Sequence, residues 1–144
     1  QNQIGRKDEY LHLAEFEVSK DAMFLKTEKT LVDAFEKAGF DFVRFSEIDL
    51  GTIPRETAED VLLLLVDEER VVRINEEMFT MKYLMDEAEE KIRKHLENED
   101  VITIAQVRDM FSTSRKSAKP ILEYMDSIKV TKKTGAESER VAYL

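Results

Sequence analysis

The sequence predicts a mostly α-helical fold with small β-hairpins, built as two copies of one helix–helix–helix–hairpin unit. Three observations carry that expectation. Apolar residues recur near the helical period in several separated stretches. Short β-branched runs around 71–74, 130–134 and 141–144 stand beside turn residues, as hairpins require. The order of elements is the same in both halves, although residue identities hardly match between them.

Taken in order, Tyr10, Leu11 and Leu13 followed by Phe16 and Val18 read as the end of a strand pair, and residues 1–18 as the remnant of a preceding domain. Ser19 or Asp21 opens a helix that runs to about Ala38, with Phe24, Leu31, Val32, Phe35 and Ala38 apolar. Gly39 stops it where a left-handed cap is wanted. An extended piece at 42–44 and a brief helix at 46–50, ended by Gly51, follow. Pro54 fits the first turn of the next helix, where its missing N–H costs nothing. That helix reaches about Asp67, and Val71, Val72 and Ile74 then pair with 78–81 through a turn at 75–77.

The second copy opens with a charged helix at 82–99, carrying Leu84, Met85, Ala88, Ile92 and Leu96 on one stripe. Thr103 and Gln106 have the spacing of a capping box ahead of Val107, Met110 and Phe111. Ser112, Thr113 and Ser114 supply a turn and the next N-cap. A third helix runs from Arg115 to about Ser127, and a hairpin through Gly135 closes the chain. A helix-turn-helix with an added hairpin is a winged helix, so tandem winged-helix domains at 19–81 and 82–144 are expected.

Composition narrows the function classes. The 144 residues suit two small domains, each marginal by itself. There is no cysteine, and the two histidines, His12 and His95, lie far apart, so neither a disulfide framework nor a histidine metal site is expected. The longest apolar run, 61–66, falls far short of the roughly 20 residues a membrane helix needs. No signal peptide is visible, and a cytoplasmic setting with no membrane partner is expected. The missing initiator Met and the start in mid-pattern read as a fragment of a longer protein. The four glycines stand alone, so no phosphate-cradling loop exists here. The acidic cluster Asp86, Glu87, Glu89 and Glu90 alternates with Lys91, Arg93 and Lys94 and reads as a solvated helix face. No catalytic constellation, cofactor or metal is expected.

The charge distribution points elsewhere. The whole chain is at −9, yet residues 103–144 hold 8 Lys+Arg against 5 Asp+Glu. The stretch Thr113-Ser114-Arg115-Lys116-Ser117-Ala118-Lys119 lies where a helix-turn-helix starts its second helix. That terminus offers unpaired N–H groups and the positive end of a helix dipole, both suited to phosphate. The Thr113 and Ser114 hydroxyls can donate to phosphate oxygens, and Arg115 can grip a phosphate or a guanine edge with two parallel bonds. Lys116 and Lys119 share a face. Arg108 on the preceding helix flanks them, and Lys132, Lys133 and Arg140 make the wing basic. Pro120 sits inside the helix, where it removes a backbone bond and loosens or bends the first turn. The first copy has no such cluster. Its third helix begins Pro54-Arg55-Glu56-Thr57-Ala58-Glu59-Asp60, which repels phosphate, so this copy reads as a spacer or protein-contact module. On the residues alone the second domain fits RNA, DNA or a protein partner, and RNA is not separable from DNA.

The blocks Ile102-Thr103-Ile104-Ala105-Gln106-Val107-Arg108-Asp109-Met110-Phe111, Thr113-Ser114-Arg115-Lys116 and Pro120-Ile121-Leu122-Glu123-Tyr124-Met125-Asp126 resemble the end of the bacterial selenocysteine-specific translation elongation factors, the SelB family. The closing hairpin, Val130-Thr131-Lys132-Lys133 and Arg140-Val141, and the first copy, through Leu64-Leu65-Val66 and Arg70-Val71-Val72-Arg73-Ile74, are similar too. The resemblance implies that these are the last two of four winged helices. It also implies that the final one binds the selenocysteine insertion hairpin of messenger RNA beside an in-frame UGA codon. The ribosome and selenocysteinyl-tRNA would be partners through the full-length protein, whose GTPase lies outside this chain. Two departures stand out: Ser112 where the family pattern has glycine, and a longer wing at 135–139.

Overall fold

The computed structural model of the protein describes residues 7–136 and 138–143, with side chains described from residue 22 onward. Helix α1 (Lys7–Ala38) is 32 residues long and runs straight through the segment expected to be a strand pair. No Gly or Pro interrupts it, and Leu11, Ala14 and Val18 repeat at helical spacing beneath the Leu11/Leu13 alternation that suggested a strand. Gly39 ends the helix with φ +56°, the left-handed conformation anticipated for it.

Strand β1 (Val43–Arg44) follows, then a 3-10 turn at Phe45–Glu47 in place of the helix expected at 46–50. Three residues, closed by the Ile48 N–H on the Phe45 carbonyl at 3.2 Å, are all that form there, and Gly51 reverses the chain with φ +59°. Helix α2 (Arg55–Asp67) has Pro54 as its N-cap, one position before the expected site, and buries Ala58, Val61, Leu62 and Leu65. Strands β2 (Val71–Arg73) and β3 (Met78–Met81) close the unit.

The second unit comprises α3 (Lys82–Asn98), β4 (Ile102–Thr103), α4 (Ile104–Met110), α5 (Arg115–Ser127), β5 (Thr131–Lys133) and β6 (Glu139–Ala142). The two sheets share one antiparallel topology, β1-β3-β2 and β4-β6-β5. Strand β4, too short to show as a period in sequence, is the counterpart of β1. The likeness extends to how α2 and α5 stop. Arg70 N–H bonds the Leu65 carbonyl and Glu69 N–H that of Val66, while Val130 N–H bonds Met125 and Lys129 N–H bonds Asp126. Glu69 and Lys129 take φ +61° and +63°. This is the Schellman closure, made twice without glycine.

Two cores result, and they are not independent. Leu31, Phe35, Val61, Leu62, Leu65, Val71 and Phe79 fill the first. The second gathers Met85, Ala88, Ile92, Ile102, Ile104, Val107, Ala118, Ile121, Leu122 and Met125, and also takes in Phe42, Ile74 and Met78 from the first unit. Phe40 stacks at a tilt on Phe111, ring centres 4.6 Å apart. Lys82 N–H bonds the Arg70 carbonyl at 2.9 Å, so β3 passes into α3 without a linker. The Tyr83 hydroxyl on α3 donates to Glu36 on α1 at 2.7 Å. The first unit thus packs against the helices that carry the basic residues.

Candidate nucleic-acid interface

The basic stretch is held by local chemistry that starts at α4. The Thr103 hydroxyl accepts the Gln106 N–H at 3.1 Å and the Gln106 side chain accepts the Thr103 N–H at 2.9 Å, the complete capping box. At the other end Thr113 N–H bonds the Arg108 carbonyl at 3.0 Å, which sets Arg108 beside the start of α5. Ser112 has φ +52°, the left-handed conformation that glycine adopts most readily.

Helix α5 begins after Ser114, which is extended and N-caps it without a side-chain hydrogen bond. The first helical bonds run from the Ser117 and Ala118 N–H groups to the Ser114 carbonyl. The N–H groups of Arg115 and Lys116 precede them, at the positive end of the helix, and the Ser114 hydroxyl leaves them uncapped. Ser114, Arg115, Lys116 and Lys119 are exposed, whereas Ser117, Ala118 and Pro120–Leu122 are buried. Spacings of three and four residues put Arg115, Lys116 and Lys119 on one outward face. Pro120 lies inside the helix, its ring buried, and supplies no N–H for the Lys116 carbonyl one turn back.

The other expected site residues are placed differently. Arg108 is half exposed, with Nε 3.2 Å from its neighbour Asp109. The Thr113 hydroxyl faces the first unit, donating to the Phe40 carbonyl at 3.0 Å and to the Asp41 carboxylate at 2.5 Å. Lys132 and Lys133 are exposed on β5, but successive strand residues face opposite sides, so the two do not share a surface. Arg140 requires a correction. It is fully buried rather than displayed on the wing, with Nε 2.8 Å from Asp126 of α5. It stands in register between Ile102 of β4, itself fully buried, and Lys133 of β5. The wing is thereby fastened near the C-terminal end of α5, roughly 16 Å along the axis from Arg115. The structure therefore sets Arg115, Lys116 and Lys119 with Arg108 near the start of α5, apart from Lys132 and Lys133 on the wing.

Sequence reasoning missed three residues around this site. Asp41 and Ser117 sit under the turn, with the Ser117 hydroxyl donating to the Asp41 carbonyl at 2.9 Å. A serine on the apolar face of α5 was the available signal. Lys129 places its ammonium 6.0 Å from the Tyr143 ring at the base of the wing. Tyr124, expected on the buried side of α5, is half-buried against the second core. Burial pushes its phenol above the usual range, Lys82 pulls it down, and Asp86 and Glu89 push it up. Among the described residues no group of three or more His, Asp or Glu could hold a metal ion, and no helix is long and apolar enough to cross a membrane.

Comparison with known proteins points one way. Residues 94–138 match the family model described as elongation factor SelB, winged helix, a span that contains the whole of α4 and α5. The selenocysteine-specific elongation factor of Desulfomicrobium baculatum is 34% identical over 82 residues, 55% of this chain and 13% of that protein. The chain thus spans about an eighth of the length of the curated relative it matches. The mRNA-binding domain of elongation factor SelB from E.coli, solved in complex with SECIS RNA, superposes with a TM-score of 0.66 at 18% identity, covering 82% of this chain and 98% of that one. A bacterial selenocysteine-specific elongation factor, EF-Sec, superposes at 0.63 with 21% identity, covering 81% of this chain and 18% of that one. The likeness to SelB seen in the residues at 102–126 is therefore shared by sequence, and the tandem winged-helix fold by structure.

Proposed function

We propose that this chain is the messenger-binding end of a selenocysteine-specific elongation factor, and that its second winged helix, 82–144, grips an mRNA hairpin through the N-terminal turn of α5. The observation that carries the reading is the pairing of open N–H groups with the exposed cations Arg115 and Lys116 at one helix end, inside the span matching the SelB winged helix. Backbone N–H groups, a hydroxyl and a planar guanidinium together suit a phosphate with an adjoining base edge. A hairpin loop offers both, because its unstacked bases can be read directly by a small domain.

In the whole factor this attachment would hold selenocysteinyl-tRNA and GTP, carried by other domains, near an in-frame UGA codon on the ribosome in the cytoplasm. This chain's part is recognition rather than catalysis. The first unit supports a second, complementary role. Its α2 exposes Leu63 and Leu64 among Glu56, Glu59, Asp60 and Asp67, a surface suited to a protein and repellent to phosphate.

The test is direct titration of the full chain with the hairpin that follows the UGA codon in a selenoprotein message of the source organism. A scrambled-loop hairpin and a DNA hairpin of the same stem serve as controls. Cognate binding tighter than both controls, and weakening as salt rises, is expected. Equal binding to all three, or none, would leave the protein-contact role as the better reading.

A further inference from the structure

We infer that Asp41 of the first unit is a positioning residue for RNA binding: it holds the turn that presents Arg115 and Lys116, and Thr113 serves as its tether rather than as a contact to RNA. The inference rests on the RNA-binding reading and deepens it. Two hydroxyls from the recognition turn reach across to one short segment. Thr113 donates to the Phe40 carbonyl and the Asp41 carboxylate, and Ser117, 3% exposed, donates to the Asp41 carbonyl at 2.9 Å. A hydroxyl donated to a carboxylate makes a stronger bond than a neutral pair and is not open to a phosphate.

The segment is itself fixed. Gly39 and Phe42 on either side take φ +56° and +49°, Phe42 is buried in the second core, and Phe40 packs on Phe111, the residue that ends α4. The turn at 112–114 is therefore braced from the first unit, while Ser112 in its left-handed conformation gives the turn little preference of its own for this shape. An untethered turn would have to be ordered each time RNA binds, at a cost in affinity that leaves the number of phosphate contacts unchanged.

The experiment is a double-mutant cycle in the full chain, with Asp41→Ala, Thr113→Val and the pair together, plus Asp41→Asn, which keeps an acceptor oxygen without the charge. Affinity for the cognate hairpin is measured across a salt series, and amide hydrogen exchange at 112–116 is followed in the free chain. Asp41→Ala and Thr113→Val should each weaken binding by roughly three- to tenfold. The pair should be no worse than the weaker single variant, and the salt slope should be unchanged. Asp41→Asn should bind within about twofold of the parent, and exchange should quicken only in the untethered variants. Should either untethered variant not fold, Ser117→Ala, which removes one donor, is expected to give a smaller loss with the same unchanged slope.

Tighter binding by Asp41→Ala and Asp41→Asn alike would mean that the carboxylate merely repels RNA, and would overturn the inference. So would a loss in Thr113→Val that persists in full beside Asp41→Ala with a shallower salt slope, since Thr113 would then touch phosphate. If the parent binds no hairpin, the RNA reading fails. The exchange data then report on the tether separately, and unchanged exchange in both variants overturns that as well.

Discussion

The guanidinium of Arg140 lies in the second unit's interior with its Nε 2.8 Å from the carboxylate of Asp126, joining the wing to the recognition helix. Asp126 is braced in turn by the Thr131 hydroxyl at 2.6 Å, and Arg140 donates from Nη1 to the Glu139 carbonyl at 3.0 Å. A cation counted from sequence as part of the binding surface is instead a structural fastener.

Removing Asp126 takes the Nε partner from a fully buried guanidinium, whereas removing Arg140 leaves a carboxylate that water still reaches, 22% exposed. Asp126→Asn should destabilise the chain by up to about 3–5 kcal/mol in urea unfolding, and Arg140→Met by less. Changing both should cost less than the sum, because no lone charge remains. Losses under about 1 kcal/mol from both single variants would show that the pair is solvated in solution.

The shared core predicts the fate of the second unit in isolation. A chain starting at residue 80 loses Phe42, Ile74 and Met78, each a side chain whose burial contributes about 1.5–3 kcal/mol. A domain of this size has little stability in reserve. The fragment should unfold at a clearly lower denaturant midpoint than the full chain, or without cooperativity. An equal midpoint would mean that the contacts between the units contribute nothing.

Glu69 offers a gain in stability. It closes α2 with φ +61°, a conformation that side-chain-bearing residues adopt at a cost and glycine does not. Glu69→Gly should stabilise the chain by about 0.5–1 kcal/mol, while Glu69→Ala should not. A destabilised glycine variant would contradict the Schellman assignment.

Alkaline pH should weaken the fold. The hydrogen bond to Glu36 is the main cause that raises the Tyr83 phenol above its usual value, and burial does the same for Tyr124. For an acid whose folded pKa is raised, the stabilisation is whole below the unfolded value, about 10, and is lost as pH climbs through the folded one. Unfolding free energy should fall across that range, and Tyr83→Phe should flatten the fall. Stability that rises with pH there would contradict both assignments.

Much of the fold was legible because its signals are local. The Thr103–Gln106 box, Gly39 and the stripe on α3 each act within a few residues, and each is found where sequence placed it. What escaped depends on distant partners. Leu11 and Leu13 fit a strand by alternation, yet helix wins over 32 residues that contain neither Gly nor Pro. Arg140 could not be told from Lys132 without knowing that β6 turns it toward Asp126. Thr113 has the right chemistry for phosphate, and only the fold reveals that a residue 72 positions earlier holds its hydroxyl.

The central claim is that the N-terminal turn of α5 reads the hairpin, and Arg115→Ala tests it most directly. The side chain is exposed and outside both cores, so circular dichroism should not change. Affinity for the cognate hairpin should fall by about 1–3 kcal/mol, with a smaller loss for a scrambled-loop hairpin. Lys132→Ala, on the wing, should instead weaken both hairpins alike and reduce the salt slope by about 0.7–0.9. If Arg115→Ala binds the cognate hairpin as the parent does, the recognition-helix assignment is wrong.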